Sequence, residues 1–153
     1  TEVVPDETYS VRACTAHPIY ENHRVKQFLR YLQEAKGPSA DTALAAAGRL
    51  MYASHWSYGK LCALGSRETD VIVRAVRRRG HSRGLYGAKI TGGGSGGTVA
   101  VLAAEGVEDA LAEVLSEYER ETGIALGEGD VMTRSSDGAE AAGAVPVQIA
   151  GRA

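Results

Sequence analysis

With 153 residues, 44% hydrophobic and 24% charged, the chain has the make-up of a soluble globular protein and the length for one domain with a substantial core. Its formal net charge of −2 supplies no general field for nucleic acid or a membrane surface, so neither is expected as a partner. No apolar run approaches the roughly 20 residues of a membrane-crossing helix, and the opening residues lack a secretory pattern.

Thr1 is not an ordinary start, and the chain is expected to be a piece of something longer. Residues 1–16 read as extended or irregular, with Thr8, Tyr9 and Val11 able to form a short strand. His17-Pro18 opens a first helix, because proline is tolerated at the first helical position. Val25, Phe28, Leu29 and Leu32 then recur along one helical face. Gly37-Pro38 stops that helix. Ser39 is placed to cap a second, with Asp41 in its first turn. Leu44, Gly48, Met51 and His55 continue one face of it to about residue 60. Two helices joined by so short a loop should pack as an antiparallel pair.

Ser66 caps a third helix, with Glu68 and Asp70 near its positive end and Ile72, Val73 and Val76 as its buried stripe. It ends at Arg77-Arg78-Arg79-Gly80, cations followed by a glycine stop. Residues 85–91 read as a strand, 92–97 as a glycine loop and 98–104 as a second strand, apolar on both faces. Val107, Leu111, Val114, Leu115 and Tyr118 mark an amphipathic fourth helix that Gly123 ends. Residues 130–134 and 145–149 read as two late strands joined by a loop of small residues. The order predicts an α+β fold: a ferredoxin-like antiparallel sheet with helices packed on one face, plus the N-terminal helical pair. Cys14 and Cys62 lie far apart and in no metal-ligand spacing. They suit reduced structural thiols of a cytoplasmic protein and leave a disulfide open.

The loop Gly92-Gly93-Gly94-Ser95-Gly96-Gly97 is the main functional candidate. A backbone stripped of side chains between two strands suits a tight turn or a close approach to something else. Exposed backbone N–H groups also make anion-binding nests. The alternative is a ligand-free hairpin tip, which is disfavoured because each glycine adds unfolded-state entropy that folding must remove. Gly92, Gly94 and Gly97 satisfy G-x-G-x-x-G, but the dinucleotide fingerprint needs a helix after the loop, and Thr98 to Leu102 reads as a strand. With Val99 the segment also matches the protein-kinase glycine loop, yet V-A-I-K, H-R-D and D-F-G are all missing from the chain.

Other polar candidates are weaker. His55 lies on an apolar helical face beside Met51, where a hydrogen-bonded core histidine is favoured over a catalytic one. Lys89 reads as a solvated strand lysine. His17, His23 and His81 show no metal spacing. Arg74, Arg77, Arg78, Arg79, His81 and Arg83 form a basic cluster. It reads as solvated surface, with phosphate or nucleic-acid binding as the alternative.

Lys89-Ile90-Thr91-Gly92-Gly93-Gly94-Ser95-Gly96-Gly97 resembles the third motif of the GHMP kinases, the superfamily of galactokinase, homoserine kinase and mevalonate kinase. Two further segments are similar to that family in the right order. His17 to Val25 resembles the galactokinase stretch H-V-x-x-E-N-x-R-V, and Gly48 to Ser57 resembles G-x-L-M-x-x-S-H-x-S. The glycine motif and the run from Tyr52 to Asp70 look closer to the L-arabinokinase branch. Ser95 stands where galactokinases usually have Phe, which weakens a galactose assignment.

The resemblance covers about residues 9–150 and implies the C-terminal domain of a sugar-1-kinase. ATP would donate its γ-phosphoryl to the anomeric hydroxyl of a monosaccharide of the arabinose or galactose class, with Mg2+. The family's N-terminal domain carries a P-x-x-x-G-L-x-S-S phosphate loop, an aspartate near the sugar hydroxyl and most sugar contacts. None of these is found in this chain. The resemblance therefore implies that no catalytic residue lies here, that ATP and Mg2+ are held mainly by an N-terminal partner domain, and that this chain alone is inactive. Its implied contribution is Thr91, Gly92, Gly93, Gly94, Ser95, Gly96 and Gly97 beside the nucleotide phosphates. The competing expectation is a stand-alone ferredoxin-like binding or regulatory module without catalysis.

Overall fold

The computed structural model describes residues 4–92, 97–127 and 129–132. Helix α1 spans Val11–Glu34 and, after a 3-10 turn at Gly37–Ser39, α2 spans Ala40–Cys62. Helix α3 spans Arg67–Arg79 and is followed by a 3-10 turn at His81–Arg83. Strands β1 (Leu85–Ile90) and β2 (Val99–Ala103) precede α4 (Glu108–Thr122). The architecture is α+β, mostly helical, with a two-stranded antiparallel sheet among the described residues. No helix among them is long and apolar enough to cross a membrane.

The expected helical pair forms, but α1 begins at Val11 rather than at His17-Pro18, and the short strand expected at Thr8, Tyr9 and Val11 does not form. Pro18 sits inside the helix, where its missing N–H removes an intrahelical bond. Contacts with α2 hold the turns before it. The Cys14 thiol donates to the Leu61 carbonyl at 3.4 Å, and His17 Nδ1 lies 3.0 Å from Ser57 Oγ. Ser39 occupies the N-cap position of α2, but its hydroxyl donates back to the Lys36 carbonyl at 3.1 Å and does not cap the helix.

Ser66 does cap α3. It exchanges bonds with Thr69 in a capping box, and Gly80 ends the helix at φ +68°. Val73, Ala75 and Val76 of α3, Leu85 and Ala88 of β1, and Ala110 and Val114 of α4 form the core cluster. Tyr52 and Trp56 of α2 pack against it. Ile72, expected in the buried stripe, is only half-buried, and Val71 is buried instead.

Strand β2 is not apolar-buried on both faces as expected. Ala100 is exposed and the other residues of β2 are half-buried, because only β1 flanks the strand among the described residues. Residues 130–132, expected to start a late strand, are irregular, and residues 133–153, including the strand expected at 145–149, lie outside the described residues.

Candidate functional site

The two strands lead into the glycine loop through a closed stem. The Thr91 N–H donates to the Thr98 carbonyl at 2.9 Å, and the Thr91 hydroxyl donates to the same oxygen at 3.2 Å. Thr91 thus closes the stem with both its main chain and its side chain. Gly92 and Gly97 stand at the two ends of the loop with φ of +76° and +111°, backbone conformations that favour glycine. Among the described residues, a Cβ at either would meet nothing within 4 Å. Gly93, Gly94, Ser95 and Gly96 lie outside the described residues.

One residue before Thr91, β1 is tied to α2. The Ile90 N–H donates to His55 Nδ1 at 3.3 Å. Successive strand amides point to opposite edges, so with Thr91 facing β2 the Ile90 amide faces outward. His55 Nε2 lies 3.0 Å from Asp70 Oδ1. An amide can only donate, which makes Nδ1 the acceptor and puts the ring proton on Nε2, toward the carboxylate. The ring is 3% exposed and meets Trp56 edge-on at 4.7 Å. Burial pushes the imidazole below its ordinary value. Asp70 works against that, while Arg74 and Lys89 add to it. His55 is therefore a satisfied, neutral histidine, and its bond to the residue that enters the loop was not legible from the helical face alone.

The outer edge of β1 is covered by α2 at a second point. Gly48 of α2 meets Tyr86 and Gly87 of β1 so closely that a Cβ on Gly48 or Gly87 would overlap the facing backbone. A third tie runs through α1. Ser54 Oγ donates to Glu21 Oε1 at 2.5 Å, Arg24 Nη1 donates to Glu21 Oε2 at 3.0 Å, and Lys89 Nζ lies 3.5 Å from Glu21 Oε1. Lys89, expected as a solvated lysine, instead spans from β1 to α1. Burial alone would raise the Glu21 carboxyl. The Ser54 and Arg24 hydrogen bonds and the Lys89 and Arg24 charges outweigh it and hold Glu21 below its ordinary value.

These ties join the two helical motifs to the glycine motif. His17 bonds Ser57, Glu21 bonds Ser54 and Lys89, Gly48 admits β1, and His55 holds Ile90. Sequence reasoning quoted these residues within motifs but gave them no joint role. The available signal was the repetition of polar residues at helical spacing, His17, Glu21 and Arg24 on α1 and Ser54 and Ser57 on α2, on faces otherwise apolar.

The family model of the GHMP kinases C terminal matches residues 40–120, more than half of the chain. The chain belongs to this family. It is 41% identical to the L-arabinokinase of Arabidopsis thaliana over 80% of this chain, and 34% identical to the galactokinase of Thermotoga petrophila over 86% of it. The match spans only 12% of that L-arabinokinase and 34% of that galactokinase. The crystal structure of Lactococcus lactis galactokinase complexed with galactose superposes with a TM-score of 0.60 at 25% identity, over 78% of this chain and 28% of that one. The GHMP kinase C-terminal fold thus accounts for the helical pair and hairpin that carry the glycine loop.

Four of the five arginines in the basic cluster of this GHMP kinase domain have acidic partners. Arg79 bonds Glu113 at 3.1 Å and Glu117 at 2.9 Å, Arg83 bonds Glu113 at 2.8 Å, and Arg78 pairs with Glu117. Arg74 reaches Asp70 at 3.9 Å, and Arg77 lies over the Tyr52 ring at 5.6 Å. Arg78 and Arg79 tie α3 to α4, and Arg83 of the following turn joins them through Glu113. Cys14 and Cys62 are free thiols; burial and the neighbouring Cys14 push the Cys62 thiol up. Among the described residues no group of three or more His, Cys, Asp or Glu is placed to hold a metal ion.

Proposed function

We propose that the chain is the C-terminal domain of an ATP-dependent sugar-1-kinase, working in the cytoplasm on a monosaccharide of the arabinose or galactose class. The observation that carries this reading is the loop stem. Two glycines with positive φ, which no described residue crowds, flank a run of glycine and serine, and the stem beneath them is fixed by Thr91, Thr98 and His55. A fixed stem under a bare main chain suits phosphate oxygens, which take up backbone N–H donors at close range. The similarity to L-arabinokinase and galactokinase supports the same substrate class.

On this reading Thr91 to Gly97 lie beside the ATP phosphates. The residues at hand fit that part: no described residue crowds Gly92 or Gly97, so their backbone can approach an anion. Mg2+ and the group beside the sugar hydroxyl would be held by an N-terminal domain of the same enzyme. Bound Mg2+·ATP would supply the transferred phosphoryl group, while this domain orients the phosphates and excludes water.

The test is a panel of monosaccharides assayed with ATP on the parent protein that contains this chain. Phosphorylation of L-arabinose or galactose at the anomeric oxygen is expected. No transfer to any sugar, from a folded parent that binds ATP, would sink the proposal. Gly94→Val in that parent should cut kcat/KM by about a hundredfold or more while leaving thermal stability nearly unchanged, since misplacing a positioning loop costs rate far more than fold. Equal loss of activity and stability would make the loop structural.

A further inference from the structure

We propose that His55, held by Asp70, is a positioning residue for the glycine loop, and that protonation of its ring releases the loop stem. The neutral ring accepts the Ile90 N–H at Nδ1 and donates from Nε2 to Asp70. Ile90 immediately precedes Thr91, whose two bonds to Thr98 close the stem. The buried imidazole therefore sets where the last residue of β1 sits, and through it the angle at which Gly92 leaves. A proton on Nδ1 would face the Ile90 N–H donor to donor, and the bond would be replaced by repulsion.

Three charged groups face this ring. Asp70 and Arg74 come from α3 and Lys89 from β1. Burial, Arg74 and Lys89 resist protonation, and Asp70 promotes it. Release therefore falls below the ordinary histidine value of about 6.5. Asp70→Asn, which removes the promoting charge, moves the release to still lower pH. The benefit to phosphate binding rests on the kinase reading above; the tether itself does not.

Amide exchange and imidazole nitrogen shifts, both followed by NMR on the 153-residue chain, test the tether without any substrate. At neutral pH the wild-type ring should report an Nε2–H tautomer. Protection of the Ile90 amide should fall by about fivefold as His55 titrates, the scale of one lost hydrogen bond. Asn places its Oδ1 where Nδ1 stands, so His55→Asn should keep that protection and lose its pH dependence. His55→Ala should lose protection at all pH values, with the Lys89 amide, which faces β2, as the internal control. An Nδ1–H tautomer, or Ile90 protection indifferent to His55 titration in the wild type, overturns the proposal. In the parent enzyme, His55→Ala should raise KM for ATP by about fivefold, with His55→Asn restoring it. A parent that phosphorylates no sugar overturns the kinase reading while the exchange data still decide the tether.

Discussion

Gly48 and Gly87 meet backbone to backbone where α2 crosses β1, and neither has room for a methyl group. Gly48→Ala should therefore destabilise the fold by about 3 kcal/mol or more, because the obstacle is main chain and cannot swing aside as a side-chain tip would. Urea unfolding would measure it, and a change under about 1 kcal/mol would show that the crossing can relax. Glu21 gives a pH-dependent test. Its carboxyl titrates below its unfolded value, so the charged form stabilises the fold above the ordinary carboxylate range, and that stability is lost as pH falls through the lowered value. Glu21→Gln should lower stability at neutral pH and flatten the acid limb of a stability-versus-pH curve. An unchanged acid limb would place the proton uptake elsewhere. Neither role was legible in the sequence. Gly48 read as one more residue on a helical face, and Glu21 as one letter of a motif. Both act on residues far away along the chain.

At the scale of elements, the cap of α3 and the glycine stops of α3 and α4 were legible, while the cap expected from Ser39 on α2 does not form. Ser66 with Thr69, Gly80 and Gly123 end or begin helices through bonds to their own neighbours, so their chemistry is local. The start of α1 was not legible, since Pro18 reads as a first helical residue when only neighbours are considered. The helix runs on to Val11 because Cys14 and His17 bond α2. Pro18→Ala should accordingly stabilise the chain by about 1–2 kcal/mol, the restored intrahelical bond exceeding the proline's restriction of the unfolded state. Thermal melting gives the sign directly. A lower melting temperature would show that Pro18 is needed to seat α1 on α2. The Arg77-Arg78-Arg79 run divides in the same way. Its place at a helix end was local and legible, whereas its pairing with Glu113 and Glu117 of α4 depends on how two helices dock.

For the whole molecule, the glycine loop is the feature that sequence and structure approach from opposite sides. If the loop is half of a phosphate site, this chain by itself should bind ATP weakly, with a Kd above about 100 μM, because few of the contacts would be present. Titration calorimetry with Mg2+·ATP is the check, and micromolar affinity would contradict a divided site. The sequence by itself determined the family, the order and type of the elements around the loop, and the glycines at its two ends. The family follows from three motifs in order, and the elements and end glycines from local periodicity, caps and the backbone freedom that positive φ demands. Only the tertiary structure decided what the polar letters of the two helical motifs do. They turn inward and tie α1, α2 and β1 into the support on which the loop stands, through His55 to Ile90 and Glu21 to Ser54 and Lys89. The physical reason is that a buried polar group must find its partner in space, and the partners here lie between 15 and 68 positions away in sequence for pairs such as His55–Asp70 and Glu21–Lys89.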